Sequence, residues 1–328
     1  MKKLLLSAVA LCSGLTSFNA SAQLPEVMLE QFTTEKCGYC PGGTTTIKTV
    51  INSMVDEVKV SWVSHHAGFY TDFLTLPESS QLLPLYNIGS SSGGTFAPAF
   101  MVNRSVVGGK VVHGVNASNV KSVINHAKSN LSAGIELEAV ISFDAESRKL
   151  VVKLDANTTN EFTGGDDFYL NVALTEDNIK AQNQSGGGAN YIHMNVLRRL
   201  LAGANGQKVD PASATYEWEY NVPEAWKTED MKIIVFAHHA KTNTANPSIY
   251  RSREYPFPAT GTTISDVLDQ NMNVYALYGD IVIEGDYKSF QVFDMQGRMH
   301  RGKGLQKGAY IVSIEANTGK IIKKVIVK

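Results

Sequence analysis

Cys37-Gly38-Tyr39-Cys40 is framed by patterns that leave the chain few ways to fold locally. Before it, residues 26–33 (EVMLEQFT) alternate roughly apolar and polar, which predicts a strand. After it, Ile47, Val50, Ile51, Met54, Val55 and Val58 recur at the spacing of one helical face, and Pro41 suits a first helical turn. Residues 58–65 (VKVSWVSH) again read as a strand. A cysteine pair between a strand and the start of a helix over 41–57 has a definite chemistry. The unsatisfied N–H groups and the positive dipole end favour thiolate over thiol, and the thiolate is the nucleophile. Cys37 is placed to attack, and Cys40, one turn further on, to resolve the mixed disulfide. Lys36 favours a negative sulfur and Glu35 opposes it.

The chain has 328 residues and three cysteines, and one of these, Cys12, lies in a segment with the layout of a secretory signal. Lys2 and Lys3 precede an apolar stretch from Leu4 to Leu11, and Ala20-Ser21-Ala22 offers a cleavage site. Cleavage after Ala22 leaves 328 − 22 = 306 residues with Cys37 and Cys40 alone. An exported chain is free to use disulfides, yet this one keeps two sulfurs only three positions apart. So short a loop stabilises little, because the gain grows with loop length. The pair therefore reads as redox chemistry before staple. Losing Lys2 and Lys3 takes the formal charge from −1 to 28 − 31 = −3, which disfavours nucleic acid as a partner. No later stretch approaches the roughly 20 apolar residues of a spanning helix.

Further along, a short helix is expected around Ser79–Tyr86, a glycine-serine loop at 89–94, and a buried strand at 99–103 after Pro98. Residues 118–131 predict a helix capped by Ser118. From about 133 five strand-like runs follow: IELEAVISFD, KLVVKLDANT, FYLNVALTED, ATYEWEYNV and MKIIVFAHH. Residues 191–203 predict a helical or mixed excursion, and 186–188 (GGG) a flexible loop. A Pro/Thr/Gly-rich stretch precedes a tail of short strands from about 272.

Three sets of residues resemble known families. Pro98 followed by an apolar strand ending in Asn103, downstream of a CGYC motif, resembles the thioredoxin-like pattern, which implies a cis-proline loop packed against the dithiol. Lys36, Gln31 and Ala97 depart from the residues that thioredoxins use at those positions. FTTEKCGYCPGG, SHHAGFYTD, Pro98 with AFMVNR, and IHMNVLRRLLAGANG resemble the outer membrane protein 28 family of Bacteroidetes over residues 24–255. FQVFDMQGR, LQKGAYIVSIE and GKIIKKVIVK resemble a type IX secretion sorting domain over about 270–328. Together these resemblances imply an α/β thioredoxin-like N-terminal domain (23–132), an all-β sandwich domain (133–256), a linker (257–271) and a small all-β C-terminal sorting domain (272–328). They imply export to the outer membrane or cell surface, recognition by the type IX translocon, and release or lipopolysaccharide attachment once the tail is removed.

The leading functional expectation is thiol–disulfide exchange on envelope proteins through Cys37 and Cys40, with Pro98 shaping the substrate groove and no cofactor. The rival is a surface binding or adhesion protein that keeps the scaffold without redox catalysis. A third is a metal site of Cys37, Cys40, His65 and His66. Adjacent histidines on a strand point to opposite faces, so at most one could join such a site, and a packed ring beside a solvated one is the simpler reading. His238 and His239 are read as a surface pair at a strand end, and Arg198 as an ion-pair partner. Tyr216, Trp218 and Tyr220 form an alternating face that packs between sheets or, less simply, binds carbohydrate.

Overall fold

The computed structural model describes residues 24–68, 70–86, 97–164, 168–188, 190–210, 215–239, 249–258, 263–265, 273–277, 279–285, 287–294, 298–316 and 319–327. The expected signal segment with Cys12, the 89–94 loop and part of the 257–271 linker lie outside these residues.

Strand β1 (Glu26–Thr33) leads into the cysteine turn, helix α1 (Cys40–Asn52) leaves it, and β2 (Lys59–His66) follows. Next come α2 (Pro77–Leu85), β3 (Ala99–Val102), β4 (His113–Gly114) and α3 (Ala117–Ser129). The middle of the chain gives β5 (Ile135–Asp144), β6 (Lys149–Thr158), β7 (Tyr169–Glu176), β8 (Ile179–Lys180) and β9 (Ile192–His193). It continues with β10 (Val196–Leu200), β11 (Gln207–Lys208), β12 (Thr215–Asn221), β13 (Met231–His238), β14 (Ile249–Pro256) and β15 (Thr263–Ser265). The tail holds β16 (Asn273–Leu277), β17 (Asp280–Glu284), β18 (Tyr287–Asp294), β19 (Met299–His300), β20 (Gly308–Ala316) and β21 (Gly319–Val327).

The expectation of an α/β thioredoxin-like N-terminal domain followed by a separate β-sandwich is corrected by this architecture. The chain is mostly β, with three α-helices against 21 strands among the described residues. No self-contained α/β unit closes at its N-terminus. Instead one nine-stranded sheet runs β14-β13-β7-β10-β2-β1-β3-β4, with β11 beside β7. β10 joins the two halves, pairing parallel to β2 at Val196↔Ser64 and antiparallel to β7. Residues 196–200, where a helical or mixed excursion was expected, thus form the central splice. Val196, Leu197 and Leu200 are buried, and a register shift between Leu197 and Arg199 bends the strand.

Paired residues in a ladder share a side of the sheet. By that rule the Trp62 face of β2 is continuous through Val196 and Glu176 with Leu174, Val172 and Leu170 of β7. At the N-terminal end helices α1 and α3 cover this face, burying Val27, Leu29, Ile47, Val50, Phe100, Val120 and Ile124. At the far end the four-stranded sheet β12-β6-β5-β15 covers it, with Leu137, Ile141, Val152, Leu154, Tyr216 and Trp218 packed on Leu170, Val172, Ile233 and Val235. Each fully buried aliphatic or aromatic side chain of this kind contributes roughly 1.5–3 kcal/mol. Tyr216 and Trp218 are accordingly inter-sheet packing. The opposite face carries Met28, Val63, Ala173 and Phe236, with α2 over Phe32 and Met101.

Local details also differ from expectation. α1 stops at Asn52, where the Ser53 hydroxyl donates to the Val50 carbonyl and the chain turns, although Met54 and Val58 still reach the core. α3 is capped by Asn116, not Ser118: its side-chain oxygen accepts the Asn119 N–H at 2.9 Å. The tail forms a β16–β17 hairpin and a β19-β18-β20-β21 sheet around Ile281, Val292, Tyr310, Val312 and Ile314.

Candidate functional site

Cys37 and Cys40 form a disulfide, with Cα atoms 5.4 Å apart. The Cys37 N–H donates to the Thr34 carbonyl, and the Cys40 N–H to the Cys37 carbonyl, so the turn is closed before α1 begins at Cys40 with Pro41 in its first turn. Ala97-Pro98 is a cis peptide bond, and Pro98 lies against the first turn of the helix. A Cβ built on Gly43 would come within 2.6 Å of the Pro98 ring, so glycine at 43 is what lets the two approach. Gln31, on the neighbouring strand, donates to Thr44 Oγ1 at 2.9 Å.

Both cysteines are buried: Cys37 is 4% exposed and Cys40 1%. The β8–β9 hairpin, roughly 150 residues downstream, lies against the turn that carries them. The Ser185 N–H donates to the Glu35 carbonyl at 2.7 Å. The Gln184 side-chain amide faces the carbonyls of Cys37 and Ser185 at 3.0 Å, Glu35 at 3.2 Å and Thr34 at 3.4 Å. Gly186, at φ +76°, lies so close to the Gly38 carbonyl that no Cβ fits there. An open cleft of about 670 Å³ follows the seam, lined by Glu35, Lys36 and residues 183–188. Tyr39 projects, 84% exposed.

Glu35 anchors the arrangement. Its carboxylate accepts the N–H groups of Gln182 (2.8 Å) and Asn183 (3.3 Å), and His193 Nε2 lies 3.2 Å away. Its own N–H donates to Asp72 Oδ2, which also meets His66 Nδ1 at 2.7 Å. Burial works to raise the Asp72 pKa, but the His66 contacts and the backbone N–H groups outweigh it and hold the carboxyl down at about 2. Burial, then the neighbouring His66, pushes the His193 pKa down, against the pull of Glu35.

His65 and His66 do point into different surroundings, but neither is solvated. His65 stacks on Phe32 and bridges Ser79 and Glu30, while His66 meets Asp72 edge-on to His193. Among the described residues no cluster of three or more His, Cys, Asp or Glu side chains could hold a metal. His238 is 2% exposed rather than at the surface, and Arg198 pairs with Glu176 at 3.2 Å over the Trp226 ring. Behind the site, Arg104 makes a two-pronged ion pair with Glu30 (both contacts 2.8 Å) and donates to the Tyr86 hydroxyl, all three buried. Sequence reasoning missed Glu35's role, Asp72, Gln184 and the glycine at 186. Nothing in the local pattern links residues 34–38 to 182–193, and the 186–188 glycines read only as a flexible loop.

Residues 89–247 match the family described as Outer membrane protein Omp28, and residues 254–328 match the Secretion system C-terminal sorting domain. Among solved structures the chain is similar to HBP35 of Porphyromonas gingivalis, with a TM-score of 0.59 and 23% identity over 93% of this chain and 99% of that one. That likeness speaks to fold alone. A domain of the outer membrane lipoprotein Omp28 from Porphyromonas gingivalis also matches, at 18% identity and a TM-score of 0.29, covering 39% of this chain and 100% of that one. No curated protein matches the chain. The chain carries an Omp28 domain and a type IX sorting domain, and is an exported outer-membrane or cell-surface protein.

Proposed function

We propose that Cys37 and Cys40 are a thiol–disulfide exchange centre acting on protein thiols or disulfides outside the cytoplasm, with Pro98 forming one wall of the substrate groove. The observation that carries this reading is the position of the pair: a disulfide ending at the first residue of α1, with Pro98 against the helix's first turn. There the helix dipole and free N–H groups stabilise a Cys37 thiolate once the bond is opened. Lys36, 5.7 Å from the Tyr70 ring, adds a positive charge beside it. The sorting tail supports interaction with the type IX secretion system. Attachment to lipopolysaccharide after tail removal is part of the same proposal.

The test is a redox titration of the mature protein with insulin-reduction activity measured against Cys37→Ser. Activity that is lost in the variant supports the exchange centre. Absent activity, or equal activity in both proteins, removes it. The burial of both cysteines favours a second reading, in which the scaffold serves surface binding and the disulfide is inert. An inert bond would resist glutathione buffers across the whole range of envelope potentials.

A further inference from the structure

We propose that the β8–β9 hairpin is a strap that holds the Cys37–Cys40 disulfide closed, so that an attacking thiol reaches it only after the strap swings away. This deepens the exchange reading, on which it rests, by naming what controls access to the bond. The strap's contacts converge on four of the five residues 34–38. Glu35 takes the amides of Gln182, Asn183 and Ser185, Gln184 reaches the carbonyls of Thr34, Glu35 and Cys37, and Gly186 sits on Gly38. β8 and β9 are two residues each and pair with each other, outside the nine-stranded sheet. The strap can therefore lift as a unit without breaking that sheet. Local opening of this kind sets the rate of any reaction at a covered group, because the rate scales with the open fraction. With the strap lifted, Tyr39 and Lys36 become the rim of an uncovered bond.

Attack is balanced with dithiothreitol as the probe. One thiolate displaces Cys40 from Cys37, forming a mixed disulfide, and Cys40 leaves as a thiolate. The second dithiothreitol thiol then displaces Cys37 and closes the reagent's own ring disulfide. Two electrons pass to the protein and both cysteines end as thiols.

The experiment measures the initial rate of this reduction in the full mature chain, trapped with a maleimide and read by mass. Gln184→Ala removes the strap amide without adding atoms, and the rate is expected to rise about fivefold, the effect of losing one net hydrogen bond. Gly186→Ala inserts a Cβ against the Gly38 carbonyl, and a rise of about tenfold or more is expected from the overpacking. Gly188→Ala carries a similar positive φ with nothing in the way, so it isolates backbone strain and should fall below Gly186→Ala. The strap is overturned if Gln184→Ala, with an unchanged circular dichroism spectrum, stays within twofold of the wild type. It is also overturned if Gly186→Ala folds and reacts no faster than Gly188→Ala. If Gly186→Ala does not fold, Gln184→Ala decides alone. Because the probe is a small dithiol, a strap effect without insulin reduction would sink the exchange reading and leave the strap standing.

Discussion

Arg104→Met should cost about 3–5 kcal/mol of stability at neutral pH, the usual consequence of stranding one charge of a buried pair. Arg104 and Glu30 are each about 1% exposed, and their contact is bidentate. Burial alone raises the Glu30 pKa, but Arg104 overrides it and His65 adds to the effect, so the carboxyl sits far below its ordinary range. A depressed carboxylate contributes stability above its unfolded pKa of about 4.3, and that contribution is lost as pH falls below it. Without Arg104 the sign reverses. Burial holds the Glu30 pKa above the unfolded value, so the penalty is full at pH 7 and shrinks as the proton goes on. Methionine keeps most of the volume and the same left-handed backbone demand (φ +51°), which leaves charge as the variable. Urea denaturation at pH 7 and pH 4.5, followed by tryptophan fluorescence, reads both effects. The gap between wild type and Arg104→Met should narrow at the lower pH, and adding Glu30→Gln should restore part of the loss at pH 7. A loss below about 1 kcal/mol at pH 7, or a gap that does not change with pH, would show that the pair does not carry the charge balance assigned to it here.

Two further expectations concern other parts of the molecule. Burial, then the nearby Arg104, takes the His238 pKa down to about 3, so unfolding takes up a proton and stability falls as pH drops from about 6.5 towards 3. His238→Gln should flatten that part of the stability–pH curve by up to about 1.4 kcal/mol per pH unit, read in the same urea titrations, and an unchanged slope would refute the assignment. The sorting match begins at residue 254, inside β14, which pairs with β13, and β15 pairs with β5. A chain ending at 271 should keep its fold but lose surface display, whereas one ending at 253 should also lose cooperative unfolding. Surface proteolysis of whole cells and thermal melts separate the two, and equal melts would contradict the role given to β14 and β15.

Much of the local structure was readable in the sequence because it is written in short-range periodicity. The 3.6-residue spacing of Ile47 and Val50 and the alternation in residues 135–144 both appear as elements at those places. The assembly was not readable. Residues 196–200 carry two arginines among their apolar positions, and only pairing with β2 and β7 makes them a strand. A domain boundary drawn from texture at 133 therefore hid a sheet that runs through it. The cysteine motif could be found from spacing and flanking elements alone. Its cover could not, since the Glu35 contacts join segments that share no periodicity and differ only by ordinary polar residues. His65 and His66 fell between: alternation correctly sent the rings to different surroundings, but the buried acids that receive them are tertiary facts.

The splice at β10 also sets a timetable. As the polypeptide is exported from its N-terminus, residues 24–66 emerge first, yet β2 has no neighbour on its outer edge until residues 196–200 arrive. Pairings between segments so distant in sequence form late and slowly. For that interval the cysteine turn lacks the contacts that residues 182–186 make with it. Completion of the sheet then brings residues 182–186 onto the turn that carries the pair.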